Sequence, residues 1–243
     1  LMKGVITAGG LGTRLRPLTL ATNKHLLPVY DRPMIFYPIQ TLVKAGITEV
    51  LVITGGPHAG HFLSVLKNGK ELGLSHLEFA YQENEGGIAA AIALAEDFAD
   101  GEPITVILGD NTTDTDISKA VKNFKDGAVM FLKEVSDPER YGVPVFGPQD
   151  KSKIIAVEEK PKQPKSNYAS TGLYIFDSKC FDYIRSMKPS ARGELEITGV
   201  QNKYIKTGKM RWEKLTGFWA DAGKFKTLFA ANVYWAKKKG VVA

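Results

Sequence analysis

Apolar runs of strand length alternate, over the first half of the chain, with stretches whose apolar residues recur every three or four positions. KGVITA reads as a buried strand, MIFYPIQTLVKAG as a helix closed by Gly46, and EVLVIT as the next strand. HFLSVLKNG then predicts a helix, LEFAYQ a strand, IAAAIALAEDF a helix and PITVILGD a further buried strand ending in an acid. Such alternation predicts an α/β fold with a mostly parallel, Rossmann-like central sheet flanked by helices. Function is expected where loops leave the carboxyl ends of the strands. Beyond Gly127 the pattern loosens into AVMFLKEV, YGVPVFG, KIIAVEEKP and STGLYIFD, four strand-like pieces that extend the sheet and build a substrate pocket. A helical GELEITGVQNKYIKTG follows, then a last helix near Phe225–Lys238 with Phe225, Phe229 and Trp235 expected on its packed face.

Composition narrows the partners. The chain has 243 residues, 32 Lys and Arg against 26 Asp and Glu, and a formal charge of +6. That excess suits an anionic ligand, but it is scattered rather than striped. Its densest run, Lys237 to Lys239, reads as a solvated helix end, so nucleic acid is not an expected partner. The single cysteine, Cys180, rules out an internal disulfide framework and fits a reducing cytoplasm. LMKGVITAGG is too short and glycine-rich to read as a signal peptide, and no apolar run reaches membrane-spanning length. A cytoplasmic chain without a membrane partner is therefore expected.

Chemistry enters with GGLGTRLRPLT, Gly9 to Thr19, directly after the first strand. A dinucleotide fingerprint fails because Leu15 stands where its third glycine belongs, and a Walker loop fails because Thr13 and Arg14 follow Gly12. What remains is a glycine turn whose N–H groups can surround phosphate oxygens, with Arg14 as a bidentate fork and Lys24 as a second cation. A plain glycine-rich turn carrying surface arginines is equally open on these residues alone. His58 and His61 lie three apart with no third ligand at useful spacing, so they read as helix surface rather than a metal site.

The glycine stretch, together with NKHLLPVYDRPMIFYPIQTL, LGDN, DPERYGV, EEKPKQPKSNYASTGLYIFD, ARGELEIT and WADAG, resembles the sugar nucleotidylyltransferases. Among them it is nearest the glucose-1-phosphate thymidylyltransferases, in a short form without the C-terminal extension of longer bacterial members. The blocks follow the family's order across nearly the whole chain. The resemblance implies a nucleotide-diphospho-sugar transferase fold in one domain over residues 1–243, nucleotide-binding over about 1–126 and sugar-phosphate-binding over about 127–243. It implies a Mg²⁺-assisted, in-line attack of a sugar 1-phosphate on the α-phosphate of dTTP or UTP, releasing pyrophosphate. Homo-oligomerisation is compatible with it.

Roles follow by the same resemblance. Ala8, Gly9, Gly10, Gly12 and Thr13 wrap the triphosphate, Arg14 stabilises the departing pyrophosphate and Lys24 contacts the α-phosphate. Asp110 and Asp221 hold Mg²⁺, while Gln82 and the Gly86-Gly87 turn read the base. Lys160 and Arg192 take the sugar phosphate, Glu159 bonds sugar hydroxyls, and Gly142 and Thr171 complete that pocket. The chain departs from its relatives at Ala90, where a glutamine is usual, and at Lys224, where a threonine commonly follows the glycine. A non-catalytic relative has no evident need for Arg14, Lys24, Asp110, Lys160 and Asp221 together. A dehydrogenase is disfavoured by the failed fingerprint, and the identity of the sugar stays open.

Overall fold

KGVITA forms the strand Lys3–Ala8, which pairs in parallel with Glu49–Gly55, itself paired in parallel with His76–Gln82. Val5, Ile6, Val50, Val52 and Ile53 are fully buried, as strands covered on both faces require. Register sets Ala8 opposite Thr54 and Gly55 opposite Gln82, so the carboxyl ends of all three strands coincide. The helix Phe36–Lys44 buries Tyr37, Ile39 and Leu42 and stops before Gly46, whose φ of +82° is the expected left-handed terminus. Pro38 sits in its first turn, where a missing N–H costs nothing.

The computed structural model describes residues 1–241. The chain divides into two compact units, each built from separated segments. The first holds Lys3–Glu85, Ile107–Lys122 and the residues from Gly217 onward; the second holds Leu1–Met2, Gly86–Val106 and Asn123–Thr216. In the first, a short strand, Asn111–Thr113, pairs antiparallel with Trp219–Asp221. The last helix, Phe225–Lys238, packs Leu228 and Ala231 into a cluster with Leu15, Leu27, Val29, Met34 and Tyr37, and Trp235 lies partly buried against it. Phe225 and Phe229 do not share that face; they are 49% and 70% exposed. At about 100° per residue the contact stripe runs through Leu228, Ala231 and Trp235 and leaves both phenylalanines to one side.

In the second unit, Ala128–Glu134 pairs antiparallel with Tyr168–Phe176, and Gly142–Phe146 pairs antiparallel with Ile154–Glu159. Met210–Lys214 adds in parallel to Ala128–Glu134, a strand hidden in the polar sequence MRWEK. The α/β expectation therefore holds, with antiparallel pairing concentrated in this unit. Two helices are shorter than their patterns. IAAAIALAEDF breaks into Ile88–Ala93 and Glu96–Ala99, where i to i+3 bonds from Leu94 and Ala95 tighten the backbone. GELEITGVQNKYIKTG is helical only over Ile197–Lys206, because the Leu195 backbone bonds to Gly86 and Ala89 instead. Among the described residues no helix is long and apolar enough to cross a membrane.

Candidate active site

From Ala8 the chain runs through Gly9, Gly10, Leu11 and Gly12 into the single 3-10 turn Thr13–Leu15. Leu15 is fully buried and anchors this turn, which leaves Arg14 exposed beside it. Gly12 adopts φ +65°, the left-handed region, and its carbonyl accepts from Leu15 N and Thr19 Oγ1, both at 2.9 Å. A Cβ on Gly9 would lie 2.5 Å from Gln82 Oε1, so the expected base-reading amide rests directly on the loop backbone. Leu11 N donates to Glu85 Oε1 at 3.2 Å, a tie that sequence reading missed.

Register brings the two expected metal ligands together. Asp110 follows the strand Ile104–Leu108, and the pairing of Asn111 with Asp221 sets the second carboxylate beside it, reinforced by Ala222 N donating to the Asp110 carbonyl at 2.8 Å. A Cβ on Gly223 would lie 2.8 Å from Asp221 Oδ1 and 3.3 Å from Asp110 Oδ2, so both carboxylates border one small space that glycine keeps clear. Lys24 Nζ donates to Asp110 Oδ2 at 2.5 Å, and Asn111 Nδ2 donates to Oδ1 at 3.1 Å. Burial alone would raise the Asp110 carboxyl, but Lys24, then His25 and the hydrogen bonds, hold it well below the usual range. Asp221 goes the other way. Burial, then the charge on Asp110, pushes its carboxyl up, against the pull of Lys24, the Gly223 N–H and Arg14.

This donor set is all oxygen, and among the described residues no three or more His, Cys, Asp or Glu gather to hold a metal. Two carboxylates fit Mg²⁺, which completes its octahedron with waters and phosphate oxygens, and do not fit a closed zinc-type site. His25 is a further part that sequence reading passed over. It is 2% exposed, and Asn23 Oδ1 accepts from its backbone N–H at 3.0 Å and meets its Nδ1 at 2.6 Å. Burial, then Lys24, pushes the imidazole down to about 3, so the ring is neutral. The available signal was Asn two residues before His, a local bond that asparagine side chains make readily.

The residues expected on the sugar phosphate lie in the second unit. Gly142 is the register partner of both Glu159 and Ser170. Burial raises the Glu159 carboxyl against the opposing charge of Lys160. Lys160 itself turns the chain at φ +44°, its N–H donating to the Tyr141 carbonyl at 2.9 Å and its Nζ lying 3.5 Å from Glu159 Oε1. Arg192 is held by Glu194 at 2.8 Å and Glu196 at 3.2 Å. Thr171 is fully buried with its hydroxyl donating to the Phe131 carbonyl at 2.8 Å, which spends that hydroxyl inside the sheet. Gly87 has φ +96°, and the small side chain of Ala90 would lie 3.2 Å from a Cβ on Gly86. Lys224 precedes the last helix, with its N–H on Thr227 Oγ1 at 3.3 Å. His58 and His61 face each other with ring centroids 5.1 Å apart and gather no third ligand among the described residues.

Residues 3–238 match the model of the nucleotidyl transferase family. The chain belongs to that family. Its nucleotidyl transferase relatives include the glucose-1-phosphate thymidylyltransferase of Xanthomonas campestris pv. campestris, 43% identical over 94% of this chain and 79% of that one. The enzyme of that name from Neisseria meningitidis is 40% identical over 95% of this chain and 81% of its own. A Bacillus anthracis protein described as a glucose-1-phosphate thymidylyltransferase, solved in complex with a sucrose, superposes with a TM-score of 0.90 at 47% identity, covering 96% of this chain and 95% of that one. A UDP-glucose pyrophosphorylase solved with UDP-glucose shares the nucleotidyl transferase fold at a TM-score of 0.83 and 23% identity, over 98% of this chain and 100% of that one.

Proposed function

We propose that this nucleotidyl transferase joins dTTP, and also UTP, to glucose 1-phosphate, giving the nucleoside diphosphate glucose and pyrophosphate. The observation that carries the reading is the Asp110 and Asp221 pair, served by Lys24 and Arg14 at the mouth of a glycine loop. The relatives' shared name supports glucose 1-phosphate and a thymidylyl donor, and UTP is added because uracil presents the same O4/N3 edge to Gln82. A sugar-phosphate oxygen attacks the α-phosphorus in line, so the protein's task is positioning and neutralisation rather than covalent catalysis. Asp110 and Asp221 hold Mg²⁺, which when bound neutralises and orients the triphosphate. Lys24, kept on Asp110 without substrate, turns to the α-phosphate. Arg14 faces the departing pyrophosphate, where charge grows in the transition state. Lys160 and Arg192 hold the sugar phosphate, Glu159 accepts from the sugar hydroxyls, and Gln82 reads the O4/N3 edge of the pyrimidine. The buried free thiol of Cys180 supports a cytoplasmic setting, and the exposed Phe225 and Phe229 are residues on which homo-oligomerisation would draw.

Pyrophosphate release in Mg²⁺, measured for dTTP, UTP, ATP and GTP against glucose, galactose and mannose 1-phosphates, tests the reading. dTTP and UTP with glucose 1-phosphate are expected to give the highest kcat/KM. Comparable values for ATP and GTP would remove base recognition by Gln82, and silence with every pair would remove catalysis.

A further inference from the structure

The two short strands that bring Asp110 and Asp221 together also carry a chain of side-chain hydrogen bonds. In their antiparallel register Asp221 lies opposite Asn111 and Trp219 opposite Thr113. Residues directly opposite share a face, so Trp219 stands diagonally across from Asn111, a spacing that an indole can bridge. Its Nε1–H donates to Asn111 Oδ1 at 2.6 Å. An indole nitrogen can only donate, so it can be met only by the oxygen end of the amide. The nitrogen end is thereby turned to Asp110, where Nδ2 donates to Oδ1 at 3.1 Å. A reversed amide would set N–H against N–H and its oxygen against the carboxylate. Asn111 and Asp110 are buried, which makes such mismatches costly.

The consequence falls on the other carboxylate oxygen. Oδ1 of Asp110 is held by Asn111, and it is Oδ2 that borders the space kept clear by Gly223, 3.3 Å from where a Cβ there would lie, with Asp221 Oδ1 at 2.8 Å from the same point. Lys24 Nζ rests on that same Oδ2 at 2.5 Å. We infer that Trp219 and Asn111 are positioning residues that lock the rotation of the Asp110 carboxylate, so that Oδ2 is the oxygen offered to Mg²⁺ beside Asp221. The inference rests on Asp110 and Asp221 being the metal pair.

The affinity for dTTP, measured by calorimetry in Mg²⁺ and again in EDTA with no sugar phosphate present, gives a ratio that reports the metal's share of binding without turnover. Trp219→Phe keeps an aromatic ring and removes only the donor; Asn111→Leu keeps the side-chain volume and removes both bonds. Each is expected to lower the ratio about tenfold while the affinity in EDTA stays parental. Because Trp219 acts through Asn111, the double variant should be no worse than Asn111→Leu alone. Hydrogen exchange of the Trp219 indole N–H in the unaltered protein, followed by NMR, gives an answer even if a variant does not fold: slow exchange is expected. An unchanged ratio in both single variants, additive losses in the double variant, or an indole proton exchanging as freely as in an unfolded chain would overturn the inference. Asp110→Asn separates this from the reading beneath it. If Asp110→Asn lowers the ratio and the other two variants do not, the positioning role alone fails; if Asp110→Asn also leaves it unchanged, the metal assignment fails and the inference with it.

Discussion

Lys24 and Asp110 meet with side chains each 13% exposed, whereas Arg192 and Glu194 pair at 40% and 37%. Both pairs join a cation to a carboxylate in a site expected to bind phosphate, yet they differ in what a substitution exposes. In the first unit the charges are desolvated, so removing one partner leaves the other buried without compensation. In the second unit the charges are near solvent, where an ion pair contributes about 0–1 kcal/mol and can be exchanged for a ligand at little cost. Exchanging the first pair for a ligand therefore needs new charge in place of a buried partner, whereas the second can be exchanged with water's help.

Substitutions that separate these two regimes give the sharpest tests. Asp110→Asn should lower kcat by on the order of 10²–10³-fold, since it removes the better-ionised carboxylate of the pair, while circular dichroism stays parental. Near-parental turnover would remove Asp110 from the metal assignment. A smaller effect, roughly 10–100-fold, is expected at the exposed cations, and the two units should differ in kind. Arg14→Ala should lower kcat and kcat/KM together, whereas Lys160→Ala should chiefly raise KM for glucose 1-phosphate, with neither shifting Tm appreciably. An Arg14→Ala variant altered only in KM for dTTP would reduce Arg14 to a ground-state anchor.

Two further expectations concern stability rather than rate. His25 is held neutral, its pKa lowered to about 3 from 6.5. Between those values the unfolded chain binds a proton that the folded chain refuses. Stability therefore falls by roughly 1.4 kcal/mol for each pH unit of acidification across that window. His25→Gln should flatten this limb, as read by chemical denaturation at pH 7, 5.5 and 4; an unchanged slope would place the proton uptake elsewhere. The smallest effect belongs to Asp221. Its carboxyl is pushed up by burial and by Asp110, so its ionised form strains the ligand-free fold at neutral pH. Asp221→Asn should relieve about 1 kcal/mol and raise Tm by roughly 2–4 °C while activity drops. A lower Tm would mean that Asp221 stabilises the fold as well as serving the site.

Legibility followed the range of the interactions. The parallel strands and the glycine loop stood out because continuous apolar runs and a left-handed glycine are local requirements, met within a few residues. Met210–Lys214 and the three-residue strands Asn111–Thr113 and Trp219–Asp221 did not, because each exists only through its partner strand. Phe225 and Phe229 misled for a related reason: their helix was correct, but which stripe of it is covered depends on what lies beneath.

By itself the sequence determined the kinds of elements, the turn that an aromatic or branched residue could not make, and the presence of enough cations and carboxylates for phosphate chemistry. Tertiary structure alone decided that Asp110 and Asp221 share one space, that Lys24 rather than solvent neutralises the first, and that Leu195 bonds the Gly86 turn to the Arg192 loop. Those pairings join residues far apart in the chain, where no local periodicity encodes distance. Their energies come from burial and from register, which exist only once the core has formed.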